Sequence, residues 1–259
     1  MIKIEPIPAY ADNYIWCLYD DSSAQAVIVD PGDAKPVLDY LKANNLALAA
    51  IIITHHHFDH IGGVEELLSH NQVSVYGPDN NTIASITHTL TEGARINLLG
   101  LDFEVLCIPG HTLDHIAYYC ENGSEGPLVF CGDTLFAGGC GRVFEGDPAM
   151  MYSSLNKLAA LPLDTRIYCA HEYTLGNLAF AKAVEPANTE LLQRIVTDTS
   201  KRSESLPTVP SLLSLEKATN PFLRCDVDSV IGAAQAFKGK IYHDPVEVFA
   251  TIRSWKDNF

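Results

Sequence analysis

"THHHFDHIGG", residues 54 to 63, places His55, His56, His57, Asp59 and His60 within six positions. A single histidine is usually a half-buried polar group satisfied by a backbone carbonyl. That explanation does not extend to four imidazoles in one window. Immediately upstream, Leu46 to Ile53 is an apolar run of strand length. The cluster therefore falls in the loop that leaves the C-terminal end of a buried strand.

Three other chemically loaded residues share this setting. His111 follows "FEVLCIPG", Asp133 follows "PLVFCG" and His171 follows "RIYCA". In a layered α/β fold, loops at strand ends converge on one rim, so residues distant in sequence can meet there. Neutral imidazole nitrogens and carboxylate oxygens suit Zn, Fe and Mn, and the absence of any C-x-x-C pair argues against a thiolate-rich structural zinc site.

The spacing H-x-H-x-D-H carries more. His55 and His57 alternate along extended backbone and point the same way. Asp59 and His60 lie past a turn and face a second point about 3.5 to 4 Å from the first, the separation of two-metal hydrolytic sites. Counting ligands assigns His55, His57 and His111 to one ion and Asp59, His60 and His171 to the other, with Asp133 bridging both. Each ion then has four protein ligands and an open position for a shared water. His56 and His115 fall outside the count and read as supports. His70, His88 and His243 read as structural.

The rest of the chain limits what such a centre can serve. The 259 residues are 47% hydrophobic, ample for a sizeable core. A net charge of −15 with no Lys/Arg cluster repels polyanions, which excludes nucleic acid as a substrate. The opening "MIKIEPIPAYADNY" has no basic stretch followed by an apolar run, and no segment approaches membrane-span length. Seven scattered cysteines, an odd number, fit a compartment where thiols stay reduced, and the expected location is the cytoplasm.

Two textures divide the chain. Up to residue 173, short β-rich runs alternate with helical patterns such as Pro36 to Ala43 and Met150 to Leu161. Beyond "AHEYT" helical patterns dominate, notably Leu175 to Val184 and Thr189 to Arg202, with "SLPTVPSLL" as a Pro-punctuated connector. The expected organisation is an α/β catalytic domain over 1–173 and a smaller, mainly helical domain over 174–259.

"THHHFDH", "GHT", "GDTLF" and "AHEYT", in this order, resemble the metallo-β-lactamase fold superfamily, and the match is closest to glyoxalase II, the hydroxyacylglutathione hydrolases. The H-x-H-x-D-H motif identifies only the superfamily, while "GDTLFAGGCGR" with "HEYT" points to the glyoxalase II branch. The resemblance extends from "NYIW" and "IVDPGD" to "NPFLR" and the ending "RSWKDNF".

It implies a four-layer αββα sandwich with a helical C-terminal domain. It also implies two divalent ions per chain, zinc first and iron or manganese as alternatives. The implied substrate is S-D-lactoylglutathione, cleaved to D-lactate and glutathione by a metal-bridging hydroxide held by Asp59 and Asp133, in a monomeric enzyme. On the same ground Arg142, Phe144, Tyr173 and Arg224 stand at substrate-contacting positions. Phe144 replaces a tyrosine found in some members, and "RCDVD" after Arg224 lacks a further basic residue that some carry. A mononuclear-iron persulfide dioxygenase, a nuclease of the same fold and a non-catalytic metal-stabilised module are the rival readings. The complete second ligand set of Asp59, His60 and His171 favours two-metal hydrolysis over the first, the acidic charge disfavours the second, and the third would need a ligand missing or the open position filled.

Overall fold

The computed structural model describes residues 1–259. The chain resolves into two compact units whose segments interleave along the sequence. The first comprises Met1–Cys107, Asp114–Gly132 and Tyr168–His171; the second comprises Ile108–Leu113, Asp133–Ile167 and Glu172–Phe259.

The first unit opens with β1 (Ile2–Ala9), β2 (Asn13–Asp20), β3 (Gln25–Val29), helix α1 (Ala34–Ala43) and β4 (Ala47–Ile52). The short helices α2 (Phe58–Ile61) and α3 (Val64–His70) follow, then β5 (Ser74–Pro78) and β6 (His88–Leu90). These six strands form one sheet in sequential order. Pro6 and Pro8 argue against a strand in "IKIEPIPA", yet β1 forms because it is the sheet edge and pairs with β2 alone.

From β3 onward the pairing is parallel, and the strands are apolar along most of their length, as expected for strands covered on both faces. Val37 and Leu41 of α1, with Val64 and Leu67 of α3, are buried in the core cluster formed with Ile28, Ile51 and Val75. Register sets Val29 opposite Ile52, so the loops after β3 and β4 leave from one level, while β5 runs two residues further, from Tyr76 opposite Ile52 to Pro78. That edge is where an α/β sheet presents its ligands.

A second, antiparallel run joins β7 (Arg95–Leu98), β8 (Leu101–Cys107), β9 (Ile116–Cys120) and β10 (Leu128–Gly132). Tyr118 on β9 donates to the Ile53 carbonyl (2.8 Å), and Ile116 N–H donates to the Thr54 carbonyl (2.9 Å). The end of β4 and the start of β9 are thereby tied together under the histidine loop. On its other side, the Trp16 indole donates to the Cys169 carbonyl and Tyr14 N–H to the Ala170 carbonyl, which places His171 at the same level.

The second unit contains a two-stranded hairpin, β11 (Leu135–Phe136) and β12 (Gly139–Cys140), and helix α4 (Pro148–Ala159). Strand β13 (Arg166–Cys169) begins here, pairing through Arg166 and Ile167 with β14 (Ser211–Leu212). Its helices are α5 (Thr174–Val184), α6 (Thr189–Ser203), α7 (Leu213–Thr219), α8 (Asp228–Lys238) and α9 (Pro245–Asp257). Asp147 and Asp244 cap α4 and α9 by accepting backbone N–H bonds, each followed by proline at the first helical position. Phe180, Phe222, Phe249 and Trp255 fill the centre of this unit with ring contacts. No helix is long and apolar enough to cross a membrane.

Candidate metal centre

In the first unit, Thr54 is the residue at which the apolar strand becomes the histidine loop. Its N–H and hydroxyl both donate to Asp30, at 2.7 Å each, and Asp30 is buried at the end of β3. Asp30 Oδ2 also faces His60 Nδ1 at 3.0 Å. One carboxylate thus joins two strand ends and orients a ligand-type imidazole, leaving His60 Nε2 directed at Asp59 Oδ2, 3.6 Å away. His171 is arranged in the same way: Nδ1 meets Asp12 Oδ1 at 2.9 Å and Nε2 lies 3.4 Å from Asp59 Oδ2. Asn13 Nδ2 donates to that same Asp59 oxygen at 2.9 Å.

His55 uses Nδ1 toward the Thr54 hydroxyl (3.0 Å) and turns Nε2 toward His57 Nδ1 (3.2 Å). Its ring is stacked on His115 at 4.5 Å between centroids, and His115 Nδ1 faces the Ile116 carbonyl. His56 points elsewhere, to Asp114 Oδ1 at 2.9 Å, and Asp114 in turn accepts from Asn80. His88 lies away from this group, stacked on Tyr76.

The second unit presents its own pair. His111 Nδ1 donates to the Arg142 carbonyl (2.8 Å), and His111 Nε2 lies 3.4 Å from Asp133 Oδ2.

These separations have a common meaning. Donor atoms at about 2.0 to 2.1 Å from a tetrahedral ion lie about 3.3 to 3.4 Å from one another. The four pairs span 3.2 to 3.6 Å, too long or too poorly matched for strong hydrogen bonds between acceptors, and close to that edge length. Asp59, His60 and His171 together bring three ligand atoms within 4.8 Å of one another. In three of the histidines, Nδ1 is held by an oxygen acceptor, the arrangement that fixes Nε2 as the metal-binding atom. The residues fit a divalent metal.

Close backbone approach is built in at two glycines. A Cβ on Gly32 would come within 1.9 Å of the Asp59 carbonyl oxygen, and one on Gly141 within 1.9 Å of the Asp133 carbonyl oxygen. Only glycine lets these turns lie against the backbone of two ligand-type aspartates.

The residues singled out for substrate lie in the second unit and are not grouped alike. Arg142 is exposed, with Asp257 at 3.8 Å, and Phe144 sets its ring edge-on to His111 at 5.3 Å. Tyr173 stands edge-on to Phe136 of the hairpin at 5.2 Å. Arg224 is otherwise engaged: its guanidinium grips the buried Glu185 through two bonds (2.8 and 3.1 Å) and donates to the Lys217 carbonyl.

Residues 16–171 match the family model described as the metallo-beta-lactamase superfamily, and residues 172–259 match that of the hydroxyacylglutathione hydrolase C-terminus. The hydroxyacylglutathione hydrolase of Pseudomonas aeruginosa is 52% identical, with all of both chains covered. The chain belongs to the hydroxyacylglutathione hydrolase family. Among solved structures, the BLEG-1 B3 metallo-beta-lactamase aligns at a TM-score of 0.61 and 26% identity, over 86% of this chain and 99% of its own. TTHA1623 in a di-iron-bound form aligns at 0.55 and 29%, over 64% and 91%. The fold is that of the metallo-β-lactamases with a helical C-terminal portion, and it implies a binuclear divalent metal site. A hydroxyacylglutathione hydrolase is a hydrolase, and so is this protein.

For this hydroxyacylglutathione hydrolase, several supports carried no motif. Asp12 and Asn13 sit in "ADNY" at the start of β2, and nothing in that stretch signals that they address His171 and Asp59. Two cations of "RSWKDNF" were also silent. Burial, with the Arg253 and Arg142 charges adding to it, holds the Lys256 ammonium below its usual range. Asp257 lies among them, 2.9 Å from Arg253 and 3.8 Å from Arg142, so one carboxylate faces three cations and the neighbourhood stays positive, which favours an anion there.

Proposed function

We propose that this protein hydrolyses S-(2-hydroxyacyl)glutathione thioesters, chiefly S-D-lactoylglutathione, to D-lactate and glutathione, the second step of methylglyoxal detoxification. The observation that carries the reading is the spacing of Asp59 Oδ2 from His60 Nε2 and His171 Nε2, the edge lengths of a bound divalent ion. In this reading His55, His57 and His111 hold one ion, Asp59, His60 and His171 hold the other, and Asp133 bridges them.

When bound, two divalent ions lower the pKa of a shared water to about 7 and stabilise the oxyanion that develops on the thioester carbonyl. The chain's own contribution is orientation. Asp30, Asp12 and the Arg142 carbonyl keep protons on Nδ1 of His60, His171 and His111, so each Nε2 lone pair is available without rearrangement. Asp59 and Asp133 present carboxylates beside those nitrogens. A leaving thiolate with a pKa of about 8.5 departs without a proton donor, so no side chain is required as general acid.

Glutathione is anionic, and the protein as a whole repels anions. Arg142, with Arg253 and Lys256 in its field, supplies the local exception. Phe144 and Tyr173 present exposed rings, at 61% and 41%, for the peptide and acyl portions. Arg224, held by Glu185 and the Lys217 carbonyl, acts on substrate only through the helical segment it orders; we assign the helical domain over 174–259 to substrate binding, with 1–173 as the catalytic domain. Zinc suits a set of imidazoles and carboxylates, and the di-iron form of TTHA1623 makes iron the first alternative. Seven free cysteines accord with a cytoplasmic enzyme, and we assign it as a monomer.

The test is S-D-lactoylglutathione hydrolysis by purified protein, with bound metal quantified on the same sample. Turnover that tracks about two metal equivalents and vanishes with a chelator is expected. Full occupancy with no turnover would reject the substrate.

A further inference from the structure

The hairpin formed by β11 and β12 is only six residues long, yet it joins Asp133 and Thr134 on one side to Gly141 and Arg142 on the other. Two antiparallel strands of two residues each cannot hold themselves in place. Its polar backbone is gripped by side chains from the helices instead. The Gly138 N–H donates to Glu216 Oε2 (2.8 Å), Asn177 Nδ2 donates to the Ala137 carbonyl (3.0 Å), and Asn220 Nδ2 donates to the Gly139 carbonyl (2.9 Å). At the far end Arg253 donates to the Cys140 carbonyl (2.9 Å).

Glu216 is the centre of this grip and is fully buried. A buried carboxylate persists only when paired and hydrogen-bonded. Arg194 on α6, equally buried, donates to Glu216 Oε1 at 2.6 Å, and its remaining donors go to Thr219 (2.7 Å) and Asp198 (3.2 Å). Asn220 Nδ2 lies 3.1 Å from the other Glu216 oxygen. The carboxylate therefore has one oxygen on the α6 guanidinium and the other on the hairpin turn. The fit is close: a Cβ on Gly138 would meet Leu178 at 2.8 Å, and one on Gly139 would meet the Asn177 amide at 2.5 Å.

We infer that Glu216, held by Arg194 and seconded by Asn220, is a positioning residue: it fixes the hairpin and through it the placement of Asp133 and Arg142. This rests on the proposed roles of those two residues. A displaced hairpin would move a metal-bridging carboxylate and a glutathione-contacting cation together. Loss of the grip therefore weakens metal binding and raises KM at once, whereas ordinary destabilisation of the fold does neither in the folded fraction.

The experiment compares Glu216→Gln, Glu216→Asp and Asn220→Ala with Leu41→Ala, a core truncation on α1 that touches none of these residues. Each full-length protein is metal-loaded and then characterised by thermal unfolding, zinc affinity by chelator competition, and KM and kcat for S-D-lactoylglutathione. Expected for Glu216→Gln is zinc affinity weaker by about tenfold or more with a raised KM. Glu216→Asp should recover part of both, and Leu41→Ala should lose Tm with unchanged affinity and KM. If Glu216→Gln does not fold, Asn220→Ala carries the test: it removes the Gly139 and Phe136 carbonyl bonds, one contact to Glu216 and the acceptor of the Phe222 N–H, and leaves the Glu216–Arg194 pair in place. Variants that lose Tm but keep wild-type zinc affinity and KM would overturn the inference. A wild-type protein that binds zinc but does not turn over this thioester would instead reject the proposed substrate and leave the zinc-affinity comparison standing.

Discussion

Asp30 Oδ2 lies 3.0 Å from His60 Nδ1, with both side chains buried, while the same carboxylate accepts the Thr54 N–H and hydroxyl. A single side chain at the end of β3 therefore sets both the exit of the histidine loop and the direction of one of its imidazoles. Asp30→Ala leaves the buried Thr54 N–H and the His60 imidazole without this acceptor. Zinc affinity should fall about 10- to 100-fold, measured by chelator competition. Unchanged affinity would mean that His60 is oriented by something else.

Asp133 stands 3.4 Å from His111 Nε2. In the proposed centre it is the only ligand shared by both ions, so Asp133→Ala should cost more than removal of a terminal ligand. Metal analysis should show fewer than about two equivalents, and kcat should drop by about 100-fold or more. Full metal content with full turnover would sink the bridging role.

Arg142 and Arg224 should separate. Arg142 is exposed with only a long contact to Asp257, so Arg142→Ala should raise KM, leave kcat nearly unchanged and hardly alter Tm. Arg224 is paired bidentately with the buried Glu185, so Arg224→Ala should raise KM and also cost about 3 kcal/mol of stability by leaving a buried carboxylate unpaired. Denaturant titration beside steady-state kinetics distinguishes the two. An Arg224→Ala protein as stable as wild type would contradict the second expectation.

Alkaline pH should weaken the fold. Burial pushes the Cys17 thiol from 9.0 up to about 12, and burial also raises Tyr118 and Cys225 well above their usual values. In the unfolded chain the Cys17 thiol ionises near 9, whereas in the folded protein it keeps its proton to about 12. Between those values the unfolded state binds fewer protons, so stability is complete below pH 9 and falls as pH rises toward 12. Chemical denaturation at several pH values should show this slope, and Cys17→Ala should flatten it. An identical slope in the variant would exclude Cys17 as a source.

The metal-ligand types were legible from H-x-H-x-D-H and from three strand ends, because local spacing and apolar runs decide which loop carries each residue. Parallel register levels the ends of β3 and β4, which is what brings Asp30 and Thr54 together at the base of the histidine loop. The supports were not legible. Asp12 reaches His171, and Asp30 reaches His60, across stretches of chain whose separation no local pattern records.

By itself the sequence determined the α/β character and the chemistry of the donor set, since periodicity, turn residues and ligand spacing are local properties, while the family was carried by the resemblance of its motifs. Only the tertiary structure decided which imidazole nitrogen faces inward, that Arg224 is committed to Glu185, and that Glu216 grips the hairpin beyond Asp133. Those outcomes depend on which buried polar groups meet, and a buried charge must find its partner wherever the packing of the whole chain brings one.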